Sequence, residues 1–284
     1  MSYYKIKVVA AREFSTLIHT RVFQLSVVLV PLFTVGLGYL SSLLGPEPVA
    51  AAVAPNVDPA KAWVPLGSMI LIFLMVMLTT PQMMSSVIEE KMSRISEVLL
   101  ASVSPFDLML GKLLACCAVA ILVGITYLIL GLGLAWHFGY SGVLTLQGAL
   151  TFIVFLILAV FLHGSIFMAV GAACSEPKDA QGMLAPLVLL ASAPLITIRS
   201  LVQNPASPLA KGLSYFPLSA PFVMSFRMNS RPSPSVVELL LSVGLTLTAT
   251  LFCVWAASRI FRIGLIAKGK TPSFLQIWHW IFTT

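Results

Sequence analysis

Six long stretches of this chain contain no Asp, Glu, Lys or Arg, and they constrain its fold more than any other feature. They run Val22–Leu44, Val64–Ile88, Leu113–Trp136, Gly148–Ala173, Ala180–Ile198 and Leu239–Ser258. A helix needs about 20 apolar residues to cross the hydrocarbon core of a bilayer. Each run is near that length or longer. Inside lipid the backbone polar groups must be satisfied within the segment, so the runs are read as helices. A lipid-facing barrel would instead show alternating segments of about ten residues, and none is visible. Only 10% of the 284 residues are charged, against about 25% in soluble domains. The expected fold is an all-α integral membrane protein with six transmembrane helices, and residues 1–284 form a single transmembrane domain.

The first run needs separating from a secretory leader. Lys5, Lys7, Arg12 and Arg21 precede it, and Ala50–Ala54 offers small residues beyond it. The run itself is 23 residues long, whereas a leader's apolar stretch has about 7–15. It is therefore read as a retained first span. Six spans put both termini on one side. Twelve of the 17 Lys and Arg residues then share the side of the termini. The positive-inside rule makes that side the cytoplasm of a cell's inner membrane. The net charge of +7 is thus distributed at membrane faces. A nucleic-acid partner would call for positive charge clustered on one soluble face, and none is expected.

The stretch after the second span is the most informative. Glu89, Glu90, Lys91, Arg94 and Glu97 follow 25 uncharged residues, with Met92, Ile95, Val98, Leu99 and Val103 recurring among them at helical spacing. A short amphipathic helix on the cytoplasmic side is expected there. Glu90 and Arg94 are spaced for an i,i+4 pair. Ser104-Pro105-Phe106-Asp107 reads as the start of the next helix: a capping hydroxyl, a proline suited to the first turn, and an acid near the positive helix end. Ser175-Glu176-Pro177 has the same character before the fifth span, which Pro186 and Pro194 should make irregular. Pro81 predicts a kink in the second span. Residues Tyr3–Thr20 mix basic and aromatic side chains and are read as a helix on the inner membrane face. Leu201–Pro234 is too apolar for a free loop and too proline-rich to span, so short helices dipping into the outer face are expected. The basic and aromatic C-terminal tail suits an inner-interface anchor.

Motifs for chemistry are weak by comparison. Gly264-Leu265-Ile266-Ala267-Lys268-Gly269-Lys270-Thr271 spells a phosphate-binding loop. That loop works between a strand and a helix; here it follows a membrane span, and contact with lipid phosphates explains the lysines better. His163 and Ser165 are two residues apart and point to different sides of a helix, so they form no catalytic pair; packing is the favoured role of His163. The four cysteines include no Cys-x-x-Cys pair and neither a metal site nor a disulfide framework is expected. No carboxylate lies deep in a span, which argues against an ion-coupled carrier.

Ile88-Glu89-Glu90-Lys91-Met92-Ser93-Arg94-Ile95-Ser96-Glu97-Val98-Leu99-Leu100-Ala101-Ser102-Val103-Ser104-Pro105, ending at Gly111-Lys112, closely resembles the segment after the second span in ABC type-2 permeases, most of all the sodium-efflux exporter subfamily. Gly171–Cys174 with Lys178, Asp179 and Gln181 resembles that family's second cytoplasmic loop. Leu213-Ser214-Tyr215-Phe216-Pro217 through Pro221 and Arg227-Met228 resembles its external re-entrant region, to which Phe216, Pro217, Pro221 and Arg227 belong. Arg259–Gly264 through Pro272 resembles its C-terminal end. The resemblance implies a permease with two subunits, identical or related, and two cytoplasmic ABC ATPase subunits. It implies that Glu89, Glu90, Lys91, Arg94, Glu97 and Leu99 belong to a coupling helix that docks on the ATPase. ATP and magnesium would bind the partner, with no cofactor in this chain and no enzymatic activity of its own. The alternative is a stand-alone, gradient-driven carrier or channel. The sodium-efflux subfamily often has a long external segment after the first span, where this chain has only Gly45–Trp63, so the cargo stays open among ions, drugs, peptides and lipids.

Overall fold

A computed structural model describes residues 3–20, 24–25, 59–93, 103–137, 145–174 and 177–264. The expected first span and the segment 94–102 lie outside the described residues, apart from 24–25. The described residues form helices and no strands. They are α1 (Tyr3–His19), α2 (Pro59–Met92), α3 (Pro105–His137), α4 (Leu146–Ala173), α5 (Pro177–Ile196), α6 (Ile198–Gln203), α7 (Pro208–Tyr215), α8 (Ala220–Met228) and α9 (Val236–Gly264). Five segments are long and apolar enough to cross a membrane: Val64–Met92, Pro105–Gly131, Leu146–Ala173, Lys178–Gln203 and Val236–Gly264. They correspond to the second to sixth expected spans.

The helix ends follow local chemistry. Ser104 accepts a hydrogen bond from the Asp107 amide at 3.1 Å, which starts α3 as its sequence predicts. Thr145 does the same for α4 through the Gly148 amide, at 3.1 Å. The fifth span is irregular: α5 contains Pro186 and Pro194, and the chain restarts at α6 after Thr197. Pro65 and Pro81 lie inside α2 without ending it. One boundary differs from expectation. Glu89, Glu90 and Lys91 do not open a separate amphipathic helix; they form the last turn of α2 itself. That turn stays helical because its charged side chains find partners on neighbouring helices, described below.

The apolar character of α4 runs all round it, and 67% of its most apolar window is buried, against 22% for α5 and for α9. A helix apolar on every side belongs at the centre, and α4 packs against α2, α3, α8 and α9. Phe152, Phe155, Ala159 and Met168 of α4 are enclosed. Leu189, Leu190 and Ile196 on α5, and Leu240, Leu241, Leu251 and Phe252 on α9, are exposed. With lipid as solvent these faces are at home. The opposite side of α9 carries Ser242, Thr246 and Thr250, all buried. Thr246 and Thr250 hydroxyls return to carbonyls one turn back at 2.7 Å, so no polar group is left bare.

Short helices α7 and α8 lie towards the end of the bundle where α4 starts. Asn229, just past α8, lies against Gly148 near the start of α4, while the Phe222 ring meets His163 edge-on at 5.4 Å. Gly148 and His163 are about 22 Å apart along α4 at about 1.5 Å per residue. The α8 segment therefore reaches deep into the bundle and returns, the re-entrant path that its broken, apolar sequence predicts.

At the opposite end two glycines permit very close helix contact. A Cβ on Gly171 would lie 2.8 Å from the Met84 carbonyl oxygen of α2, and one on Gly264 would lie 2.5 Å from the Ala172 carbonyl oxygen of α4. Backbone cannot yield as a side-chain tip can, so Gly171→Val and Gly264→Val should each cost about 1–3 kcal/mol by overpacking and lower the thermal midpoint in detergent. Gly182→Ala and Gly244→Ala, where nothing lies within 4 Å, should leave it unchanged or slightly higher.

Candidate functional site

The end of α2 beside this glycine joint and the nearby start of α3 bring together Glu89, Glu90, Lys91, Asp107 and Lys112. Glu90 and Lys91 are neighbours in sequence, hence about 100° apart around α2, and they reach opposite ways. The Glu90 carboxylate lies 3.0 Å from the Lys112 ammonium. The same ammonium donates to Ser86 Oγ at 2.6 Å and to Glu13 Oε1 at 3.2 Å. Lys112 is only 2% exposed, yet its three partners come from α1 and α2 while it stands on α3. An ammonium removed from water needs this many partners. Beside it, Gly111 lets α1 approach: a Cβ there would lie 2.7 Å from Val9 Cγ1. The apolar side of α1, with Ile6, Val9 and Leu17, thus packs on the bundle and not only on the membrane surface.

Lys91 turns towards α4. Its ammonium donates to the Ala172 and Cys174 carbonyls, both at 3.0 Å. These are the bare carbonyls at the end of a helix, where the negative end of the dipole favours a cation. Burial pushes the Cys174 thiol up, so it stays protonated and inert. Glu89 and Met92 remain exposed on the free side of the same turn. Arg94, Glu97 and Leu99 lie outside the described residues, so the expected Glu90–Arg94 pair does too; the described Glu90 contact is Lys112. The second-loop residues begin α5: Lys178 and Gln181 are exposed, and Asp179 sits in the first turn.

The re-entrant residues are brought together differently. Phe216 ends α7 and is exposed, whereas Pro221 and Arg227 are buried in α8 and Pro217 is partly buried between them. Arg227 donates to the Pro205 carbonyl at 3.0 Å, to Ser214 Oγ at 2.7 Å and to Glu238 Oε2 at 2.6 Å. A guanidinium satisfied on all sides ties α7, α8 and α9 together at the start of α9. Lys211 adds a weaker contact to Glu238 at 3.9 Å.

His163 donates through Nδ1 to the Ala159 carbonyl at 3.0 Å, and Ser165 donates to the Phe161 carbonyl at 2.6 Å. The two side chains serve their own helix and make no catalytic pair. Gly264, first residue of the phosphate-loop lookalike, is buried at the end of α9 with the Ala172 carbonyl against it. A loop that cradles phosphate needs that glycine open.

Residues 54–259 match the family described as ABC-2 family transporter protein. The chain belongs to this family. Its members are membrane components of transporters, and the apolar helices make this chain a multi-pass membrane protein. Two curated relatives are similar in sequence. The uncharacterized protein MJ1024 of Methanocaldococcus jannaschii is 28% identical over 219 residues, 77% of this chain and 53% of the relative. The uncharacterized protein YhaP of Bacillus subtilis is 27% identical over 222 residues, 72% of this chain and 52% of the relative. The chain spans about half the length of these relatives.

Glu89, Glu90, Lys91 and Arg227 were legible as candidates; Glu13, Ser86, Lys112 and Ser214 as their partners were not. Lys112 was marked only by its place as the last charge before an uncharged run and at the close of the family-like segment. Lys112→Met would leave two partly buried carboxylates, 15% and 13% exposed, without their cation, which should cost about 3 kcal/mol, the low end for breaking a buried pair. Lys91→Met removes charged hydrogen bonds at a half-exposed site and should cost about 1–2 kcal/mol. Thermal unfolding of the two purified variants should rank them in that order.

Proposed function

We propose that this chain is the permease subunit of an ATP-driven exporter. Cytoplasmic ABC ATPase subunits dock at the inner end of α2 and the residues that follow it, with Arg94, Glu97 and Leu99 in the docking segment. ATP and magnesium belong to the partner. A second copy, or a related permease, completes the pathway, and the chain lies in the cytoplasmic membrane with both termini in the cytoplasm. Lys178, Asp179 and Gln181 form the second cytoplasmic contact, and the α7–α8 region bounds the outer exit.

The observation that carries this reading is the anchoring of the last turn of α2. Lys112 holds it to α1 and α3, and Lys91 holds α4 to it. A push on this turn is delivered to three helices at once, which is what a coupling point must do. Family membership supplies the transport role, and the exposed Glu89 and Met92 leave the turn a free side.

The chain should co-purify from its native membrane, in mild detergent, with an ATPase whose activity is measurable in the eluate. Glu97→Lys should reduce that recovered ATPase by tenfold or more while leaving the amount of permease unchanged. A chain that emerges alone and supports gradient-driven flux in liposomes would overturn the proposal in favour of a carrier.

A further inference from the structure

Among the described residues, helix α1 packs far more closely on α3 than on α2. Yet Glu13 of α1 and Glu90 of α2 share one buried ammonium, with Lys112 at 3.2 Å and 3.0 Å from them. Two carboxylates that close repel each other unless the cation stays between them. The close ion-pair link between α1 and the end of α2 therefore runs through the Lys112 ammonium.

Stability alone is a poor account of this arrangement. A buried ion pair is often worth no more than apolar side chains of the same volume, and Glu90 Oε2 is buried with no hydrogen-bond partner among the described residues. Arg12, next to Glu13, also bears on Glu90 electrostatically. Polar groups only partly satisfied in a low-dielectric setting hold one another firmly and rearrange together. The Gly111 contact with Val9 and Ile6 keeps α1 seated on α3, so α1 already has its packing. What Glu13 adds is a tie to α2.

We propose that Glu13 and Lys112 are positioning residues that make α1 follow the inner end of α2 during each ATP cycle. Lys112 keeps its hold on Glu90 and Ser86 as that end is displaced, and Glu13 follows the ammonium. The N-terminal helix is then a driven element of the exporter and not a passive membrane anchor. This inference rests on the proposed ATPase coupling.

The test uses the complex purified with its ATPase and reconstituted in bilayer discs. One spin-label pair, Ser15 with Gln181, reports α1; another, Met92 with Gln181, reports the end of α2. All three positions are exposed. Trapping with ATP and vanadate should shift both distance distributions. In Glu13→Ala the Met92 shift should persist and the Ser15 shift should vanish; Glu13→Asp should recover it. If Glu13→Ala does not fold, Glu13→Gln takes its place, keeping the polar contact without the charge. A purely structural Glu13 would change thermal stability but leave the Ser15 shift in place, which overturns the proposal. A Ser15 label that stays still in the unmodified complex while Met92 moves overturns it too, with the coupling reading intact. If neither label moves and no ATPase co-purifies, the coupling reading fails and this inference falls with it.

Discussion

The Lys112 ammonium is the interaction on which the inner end of this protein depends. It stands on α3, is closed off from water, and satisfies groups on α1 and α2. Burying a cation is costly unless it is paired, so the helices that supply its partners are held in one register. Lys91, one residue from Glu90, carries the connection to α4 through carbonyls that would otherwise be bare. Two glycines complete the joint by letting α2, α4 and α9 meet backbone to backbone. The opposite end of the bundle repeats the principle with a different cation, since Arg227 gathers α7, α8 and α9 around one guanidinium.

Between these ends the bundle is held by apolar packing around α4, where lipid tails offer no hydrophobic contrast to drive helices together. Small residues and self-satisfied hydroxyls do that work instead. Gly124 faces Leu156 closely, and the Ser242 hydroxyl donates to the Ser214 carbonyl at 2.5 Å, joining α9 to the re-entrant segment. The centre is therefore apolar and close-packed, and the specific polar contacts are concentrated at the two faces.

How much of this could be read from the sequence depends on range. Lipid leaves a helix no alternative, so uncharged runs of sufficient length located five of the described membrane helices directly. Ser104, Thr145 and the prolines of the fifth span act within one or two turns; Ser104 and the prolines were read correctly, and Thr145 was available to be read. The charged turn after α2 was found because charge is rare here, but its roles were not. Glu90 is spaced for Arg94, and nothing local says that its described partner stands on another helix. Glu13 lies 99 residues from Lys112, and no periodicity records a pairing at that distance. The uncharged run ends at Ile88, but α2 continues to Met92; most of the amphipathic segment expected after it lies outside the described residues.

That long separation bears on how the protein is made. Chains are synthesised from the N-terminus, so α1 exists well before Lys112 has been added. Until then Glu13 has no ammonium to turn to, and Gly111 is not there to receive Val9. Helix α1 must therefore wait for α3 to be made before it can take its place. In biogenesis, being made before α3 does not let α1 settle before it.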